Sequence, residues 1–395
     1  MNTKQTSIIY RDELLAASET FIPAQAGSLE HFRPLYVGLR RVQGLPLAES
    51  ECHIISCGGV AGVVQRARFK LLGPDARLRR KLQQSSPALM HAHFAPDACN
   101  ALALAESLRI PLLVSLHGYD ITVGDQHHPA AYRWRRERLR AQASRFLCVS
   151  NFLRGKAIAR GFPAAKTVVH YTGTDVDFFR PDPRVPRSPV VLFVGRLVPV
   201  KGCEYLIRAM TCVQRSAPEA RLVVIGDGYL RPKLEQQAAS SLRNFEFLGA
   251  QQPAAVRLWM NRASVLCTPS VSMESGYTEA FGMVFVEAQA MGLPVVSFAS
   301  GGIPEAVAEG ETGFLVKERD WQALANRLLR VLTDRDLWAR FSQAGQSRVR
   351  TLFDIRKQAM ALDSIYQQVL EEWNSTRGIL KNQNSPIPQW SEAHV

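Results

Sequence analysis

Long apolar runs are missing from this chain of 395 residues. The longest, at Pro189–Gly195 and Leu293–Ala299, are strand-sized and fall short of the roughly 18 uninterrupted apolar residues of a membrane span. Residues Met1–Asp12 carry no apolar core ahead of a small-residue cleavage site, so no signal peptide is expected and the chain is read as cytoplasmic. Cysteine is sparse and scattered: Cys52, Cys57, Cys99, Cys148, Cys203, Cys212 and Cys267 are seven in number, and none forms a C-x-x-C pair. That argues against a structural zinc site or a disulfide framework and for small buried apolar residues. Negative charge is in short supply, with 35 Asp+Glu against 48 Lys+Arg, a net of +13 and a pI near 9.7. Such a balance implies an anionic partner: nucleic acid, a phosphate-rich substrate or an acidic membrane surface. What is present is otherwise ordinary. An apolar fraction of 46% with 21% charged residues excludes disordered, collagen-like and coiled-coil chains, and the length suits two domains, each with its own core.

The two halves repeat one pattern, an apolar strand, a turn and a helix. In the first half strands are expected at 89–94, 111–116, 146–149 and 167–170, with an Ala/Leu-rich helix near 97–108. In the second they are expected at 190–194, 220–225, 245–248, 264–268 and 294–297, with helices such as 204–214 and 230–241 between them. Between the halves, residues 182–189 carry two arginines, with Arg180 just before them, and Pro181, Pro183, Pro186 and Pro189 punctuate the stretch; this reads as a linker. Amphipathic helices follow near 321–332 and 337–351, then a last helix at 355–373 and a polar tail, 374–395, expected to be disordered. Alternating strands and helices mean parallel sheets covered on both faces. The expected class is therefore α/β, with two Rossmann-like doubly wound domains at 1–181 and 190–354 facing each other across a cleft. Ligands in such folds sit at the carboxyl ends of the strands.

The sharpest motifs lie in the second half. In VLFVGRLVPVKG (191–202) a buried strand runs into Gly195-Arg196, and Lys201-Gly202 opens a helix. A guanidinium fork and an ammonium at a strand's carboxyl end suit a diphosphate, although two solvated charges would look the same. Gly226-Asp227-Gly228 ends the next strand in a turn that permits close backbone approach. The most specific segment spans 272–297. There Glu279 precedes Ala280-Phe281-Gly282-Met283, which opens a helix containing Glu287. The N–H groups of a helix start suit phosphate or sugar hydroxyls, and a carboxylate can accept two ribose hydroxyls. The plainer alternative is two surface acids on a helix.

Taken in order, Gly195-Arg196…Lys201-Gly202, Gly226-Asp227-Gly228, Glu279-Ala280-Phe281-Gly282…Glu287, Ala290-Met291-Gly292-Leu293-Pro294-Val295-Val296 and Gly301-Gly302-Ile303-Pro304-Glu305 resemble the motifs of the retaining, GT-B-fold glycosyltransferases of family 4. The resemblance implies that Arg196 and Lys201 hold a donor diphosphate. It also implies that Glu279 and the backbone of Phe281, Gly282, Met283 and Val284 hold the sugar, that Glu287 takes the ribose, and that the turn around Gly249 lies near the base. It gives the last helix a path back to the N-terminal lobe. It further implies a nucleotide-diphosphate-sugar co-substrate, UDP- or GDP-linked, with no other cofactor and no metal. Ala280 stands where many members have glycine.

On the acceptor side, alternation places His91 and His93 on one strand face. Metal binding would need a third ligand, and none is positioned nearby, which leaves a cleft-lining or hydrogen-bonded core role. His117-Gly118 ends a strand at the cleft; family members have a histidine before glycine here that contacts the donor sugar, the alternative being a structural cap. Ser18-Glu19-Thr20-Phe21-Ile22 is close to a motif of the colanic-acid-type exopolysaccharide subgroup, in place of the family's Gly-rich loop. It marks an acceptor side with Ser18, Glu19, Thr20 and His93. Such a transferase would move a hexosyl group to a saccharide or lipid-linked saccharide, or alternatively to a small soluble acceptor. Rival readings lack their own signatures. No RNP-like strand, zinc module or basic recognition helix supports a nucleic-acid partner, and no G-x-G-x-x-G follows the first strand as in a dehydrogenase. A phosphorylase or epimerase on the same fold would differ in phosphate dependence.

The charge is unevenly placed. Residues 1–187 hold 26 Lys+Arg and 15 Asp+Glu, and residues 188–395 hold 22 and 20. The excess gathers at Arg66, Arg68, Lys70, Arg77, Arg79, Arg80 and Lys81, and at Arg133, Arg135, Arg136, Arg138 and Arg140. Both clusters are interleaved with apolar residues, which suits an anionic membrane surface; a solvated helix face is the alternative.

Overall fold

A computed structural model describes residues 4–16, 19–42, 44–45, 48, 51–128 and 130–383, with side chains to 376. Two parallel sheets form. The first contains β1 (Gln5–Leu14), β2 (Phe32–Arg41), β3 (Cys52–Ile54), β4 (Pro87–His93), β5 (Leu112–Leu116), β6 (Arg145–Cys148) and β7 (Thr167–Val169), in the order β3-β2-β1-β4-β5-β6-β7. The second contains β8 (Val190–Val194), β9 (Arg221–Ile225), β10 (Phe245–Gly249), β11 (Val265–Cys267), β12 (Val295–Phe298) and β13 (Gly313–Val316), in the order β10-β9-β8-β11-β12-β13. Each order reverses beside its first strand, and that is where a crevice opens at the carboxyl ends. The class is the α/β two-lobed architecture expected.

Sequence patterning missed β1, β2, β3 and β13. β1 buries Ile8, Ile9, Tyr10 and Leu14 but carries Arg11, Asp12 and Glu13 among its last four residues, so its composition does not read as a central strand. β2 contains Pro34, which pairs with Ser7 of β1. On its other side β3 covers only Tyr36–Gly38, so the missing N–H falls where no strand needs it. Both lobes bury strand residues against their helices. Among the described residues no helix is long and apolar enough to cross a membrane.

Two stretches of chain join the lobes. Segment 182–189 is not a slack tether: Arg187 donates to the carbonyls of Met260 (2.8 Å), Ala263 (2.9 Å) and Met291 (2.6 Å) and stacks over Trp338, and burial pulls its guanidinium down to about 10. The second crossing is at 353–355, where Thr174 N–H donates to Phe353 O (2.8 Å) and Ile355 N–H to Thr174 O (2.9 Å). The final helix, Ile355–Gln383, then packs on the N-terminal lobe. Its Ala359, Leu362, Tyr366 and Val369 share a core with Leu29, Phe32, Leu89, Leu113 and Leu147. It runs ten residues beyond the 373 expected from sequence, into a stretch read there as tail; residues 384–395 lie outside the described ones.

Candidate functional site

The motif turns converge at the carboxyl ends of β8 and β9. Gly195 and Gly226 meet backbone to backbone, and a Cβ on Gly226 (φ +137°) would lie 1.9 Å from Gly195 O. Gly226 N–H donates to Gly249 O (2.8 Å) and Leu197 N–H to Asp227 O (2.8 Å). Gly195, Gly226, Gly228 and Gly249 therefore shape the floor and are not among the lining residues of the cavities above it.

Two cavities lie between the lobes, separated by Phe21 and Met283, which line both. The first, about 650 Å³, is walled on the C-terminal side by Arg196, Tyr277, Glu279, Phe281 and Gly282. Arg196 Nη2 donates to Tyr277 Oη at 3.3 Å. Lys201 is ion-paired with Glu279, so the cation and carboxylate expected to act separately are coupled before any ligand enters. Gly282 (φ +90°) turns the chain into the helix Met283–Ala290; Phe285 N–H donates back to Gly282 O (3.1 Å), which leaves the N–H groups of Met283 and Val284 without a place in the helical ladder.

The facing wall holds His117, Glu19, Phe94, Arg11 and Asp97. His117 packs at a tilt on Phe94 (4.6 Å between centroids) and on Phe21 (5.0 Å). Burial, with Arg11 nearby, depresses the His117 imidazole to about 3, so it is neutral at physiological pH. Arg11 is ion-paired with Glu19 and Asp97 and lies 4.3 Å over the Phe94 ring. Burial, and next Asp12, lift the Asp97 carboxyl to about 7. Arg11 and Asp97 escaped sequence reading. The available signal was three charged residues closing a strand whose preceding residues are apolar, at the end where α/β folds bind ligands.

The second cavity, about 480 Å³, is lined by Val284, Glu287, Thr20, Phe178, Gln251 and Val256, among others. Enclosure lifts the Glu287 carboxyl to about 7. Thr20, placed with the acceptor residues by sequence, faces this cavity rather than the one Glu19 lines. Ser18 lies outside the described residues.

His93 needs a correction. It does not reach the cleft: it is 1% exposed and sits behind His117, its Nδ1 3.0 Å from His117 Nε2. It stacks on His91 at 4.5 Å, which in turn bonds Tyr366 Oη (2.6 Å) and Ser115 Oγ (2.7 Å). β4 and β5 are parallel neighbours, so their alternate residues stack into the sheet core. Asp120 ties the two strand ends together, accepting from Ala95, His117 and Gly118 N–H groups. Asp175 closes a turn by accepting from Asp177 and Phe178 N–H groups.

The chain matches two family models: Glycosyl transferases group 1 over residues 175–348 and Glycosyltransferase Family 4 over residues 39–178. It is 31% identical over 297 residues to a GDP-mannose-dependent alpha-(1-6)-phosphatidylinositol monomannoside mannosyltransferase of Mycobacterium tuberculosis, covering 71% of this chain and 76% of that one. It is also 31% identical over 247 residues to the putative colanic acid biosynthesis glycosyltransferase WcaL of Escherichia coli K12, covering 60% of this chain and 59% of that one. The matched stretch thus spans about three fifths to three quarters of the length of these relatives. Among solved structures, HepE of Anabaena in complex with UDP and glucose superposes with a TM-score of 0.75 at 22% identity, covering 92% of this chain and 100% of that one.

Proposed function

Because the chain belongs to the family 4 glycosyltransferases, we propose that it moves a hexosyl group from a UDP- or GDP-sugar, with retention at the anomeric carbon, to a saccharide or lipid-linked saccharide. The product would enter a cell-surface or extracellular polysaccharide. One observation carries the reading: Arg196, Glu279 and the Met283 helix start line one side of a cleft whose other side is His117 and the Arg11 cluster, with Lys201 standing behind that wall as the ion-pair partner of Glu279.

Departure of a nucleoside diphosphate builds negative charge on phosphate and oxocarbenium character on the sugar. Arg196 and Lys201 neutralise the leaving group, with the helix N-terminus adding oriented N–H groups, so charge is stabilised without a metal. When the donor enters, Lys201 bridges its diphosphate and Glu279, leaving the other Glu279 oxygen to accept from a sugar hydroxyl. Neutral His117 offers a hydrogen bond to the sugar from the opposite lobe. The cavity beyond Met283 takes the nucleoside, with Glu287 accepting from the ribose. A donor oxygen of the departing phosphate takes the acceptor proton in a front-face substitution.

The acceptor is proposed to come from an anionic membrane surface, and the fold narrows which residues would face it. Most of the 133–140 cluster is committed internally: Arg135 bonds Asn100 and Cys99, Arg136 bonds Asp125, Arg138 bonds Glu106, and Arg140 bonds Glu137. The other cluster lies on helices Gly59–Leu72 and Ala76–Gln83. There Val60, Val63, Val64, Leu71 and Leu72 are 56–83% exposed, and Arg77, Arg79, Arg80 and Lys81 are also exposed. Lys70 pairs with Asp12 at 2.9 Å, which ties this surface to the Arg11 end of β1.

The test is a melting-shift screen of UDP, GDP and their glucose, galactose and mannose conjugates, followed by transfer assays. A donor at 100 times its Kd should stabilise the protein by about 2.7 kcal/mol, and Arg196→Ala or Glu279→Ala should abolish transfer with the fold intact. Full transfer by either variant refutes the assignment.

A further inference from the structure

We propose that Glu305 is a positioning residue that clasps the two lobes beside the hinge and sets where the Glu279–Phe281 loop stands against the N-terminal lobe. The inference rests on the transferase reading above.

Glu305 follows β12 in the short helix Ile303–Ala306 of the C-terminal lobe, yet its carboxylate is spent on the other lobe. Oε1 accepts from Phe152 N–H (2.7 Å); Oε2 accepts from Asn151 N–H (2.7 Å), Asn151 Nδ2 (3.0 Å) and Tyr171 Oη (3.1 Å). Asn151 and Phe152 open the helix Asn151–Ala159. Its first-turn N–H groups lack intrahelical partners, and its dipole favours an anion there. The helix's own cap, Ser150 Oγ, takes Leu153 N–H (3.0 Å); Glu305 takes the two N–H groups the cap leaves.

The same turn grips the donor loop. Gly302 N–H donates to Glu279 O at 2.9 Å, and a Cβ on Gly302 would lie 1.9 Å from Ala280 O. Ser150 Oγ closes the ring by donating to Ala280 O at 2.6 Å. One circuit therefore joins the N-lobe helix start, the Gly301–Glu305 turn and the backbone that carries Glu279. It sits beside the second chain crossing, where Tyr171 packs on Phe281 (5.5 Å) and on Phe353 (5.2 Å), and Arg348 Nη2 donates to the Glu305 carbonyl (2.8 Å). Glu305 lines neither cavity, so it acts through the loop. Transfer between groups held on different lobes is sensitive to misplacement of about 1 Å.

The experiment compares wild type with Glu305→Ala and Glu305→Gln. The amide keeps the size but turns an NH2 toward a backbone N–H, so an intermediate effect is expected. Small-angle scattering of the free protein should show a wider lobe arrangement in Glu305→Ala. Amide exchange at Asn151 and Phe152 should quicken at least tenfold. UDP affinity by calorimetry should stay within about twofold. In transfer assays kcat should fall at least tenfold with donor KM within about twofold. Scattering and kcat matching wild type would overturn the clasp, as would UDP affinity and melting temperature falling together with kcat, the mark of a purely structural role. Failure of wild type to bind either UDP or GDP would instead overturn the transferase reading; scattering and exchange on the free protein would still decide the clasp.

Discussion

Glu287 allows the proposed nucleoside site to be tested by pH. Enclosure holds its carboxyl at about 7, against an ordinary glutamate near 4.3. If ribose hydroxyls are accepted by the ionised form, the competent fraction is roughly one in eleven at pH 6, one half at pH 7 and ten in eleven at pH 8. Apparent Kd scales inversely with that fraction, so UDP should bind about tenfold tighter at pH 8 than at pH 6, or ~1.4 kcal/mol. The terminal phosphate of the nucleotide ionises near pH 6 and adds a slope of its own, so the decisive quantity is the ratio of Kd in Glu287→Gln to Kd in wild type. That ratio should be about tenfold larger at pH 8, where wild type is mostly ionised, than at pH 6, where it is mostly protonated. Isothermal calorimetry at the two pH values measures it. A ratio that does not change with pH refutes the reasoning. Stability should move the opposite way. With the folded carboxyl raised, its contribution is full below the unfolded value and is lost as pH rises through about 7, at up to ~1.4 kcal/mol per pH unit, so Glu287→Gln should gain on wild type in thermal melts between pH 5 and 8.

Three further outcomes follow from the geometry. His91 and His117 are held down to about 3, and His93 well below the ordinary value, all by burial first. The unfolded chain takes up protons below about pH 6.5 that the folded chain refuses, so each histidine should cost up to ~1.4 kcal/mol per pH unit on acidification; a His117→Gln variant whose melting temperature changes from pH 7 to 5 no differently from wild type would contradict this. Gly118→Ala places a Cβ 2.8 Å from Ala280 Cβ across the cleft at φ +126°, and should cost about 1–3 kcal/mol in chemical denaturation and separate the loop from His117, lowering transfer; a neutral result would mean the lobes do not meet there. Leu71→Asp with Leu72→Asp should cut flotation with anionic liposomes severalfold and leave UDP affinity unchanged, whereas equal binding of wild type to neutral vesicles would argue against the charged membrane surface.

Much of the C-terminal lobe was legible because its motifs consist of backbone turns and of single residues at strand ends. Gly195, Gly226, Gly282 and Glu287 are local features of a strand, a turn or a helix start, and local features survive in sequence order. The N-terminal lobe was harder. β1 carries Arg11, Asp12 and Glu13 just before its last residue, and these charges obscure the apolar pattern of a central strand. His93 looked like a cleft residue because alternation gives a face without saying what stands in front of it; His117, from the neighbouring strand, does. The arginines of 133–140 looked like free charge until Asn100, Glu106 and Asp125 were brought beside them.

By itself, the sequence determined the α/β class, the tandem of two strand–helix units and the order of the motifs in the second lobe, since each depends on periodicity and on spacing within a few turns of chain. Only the tertiary structure decided which charges are free, which histidine faces the cleft, that Lys201 and Glu279 meet, and that Glu305 reaches into the opposite lobe. Those outcomes depend on contacts between residues tens to hundreds of positions apart. Burial and pairing set protonation and charge, and neither is fixed until distant strands have closed around the group.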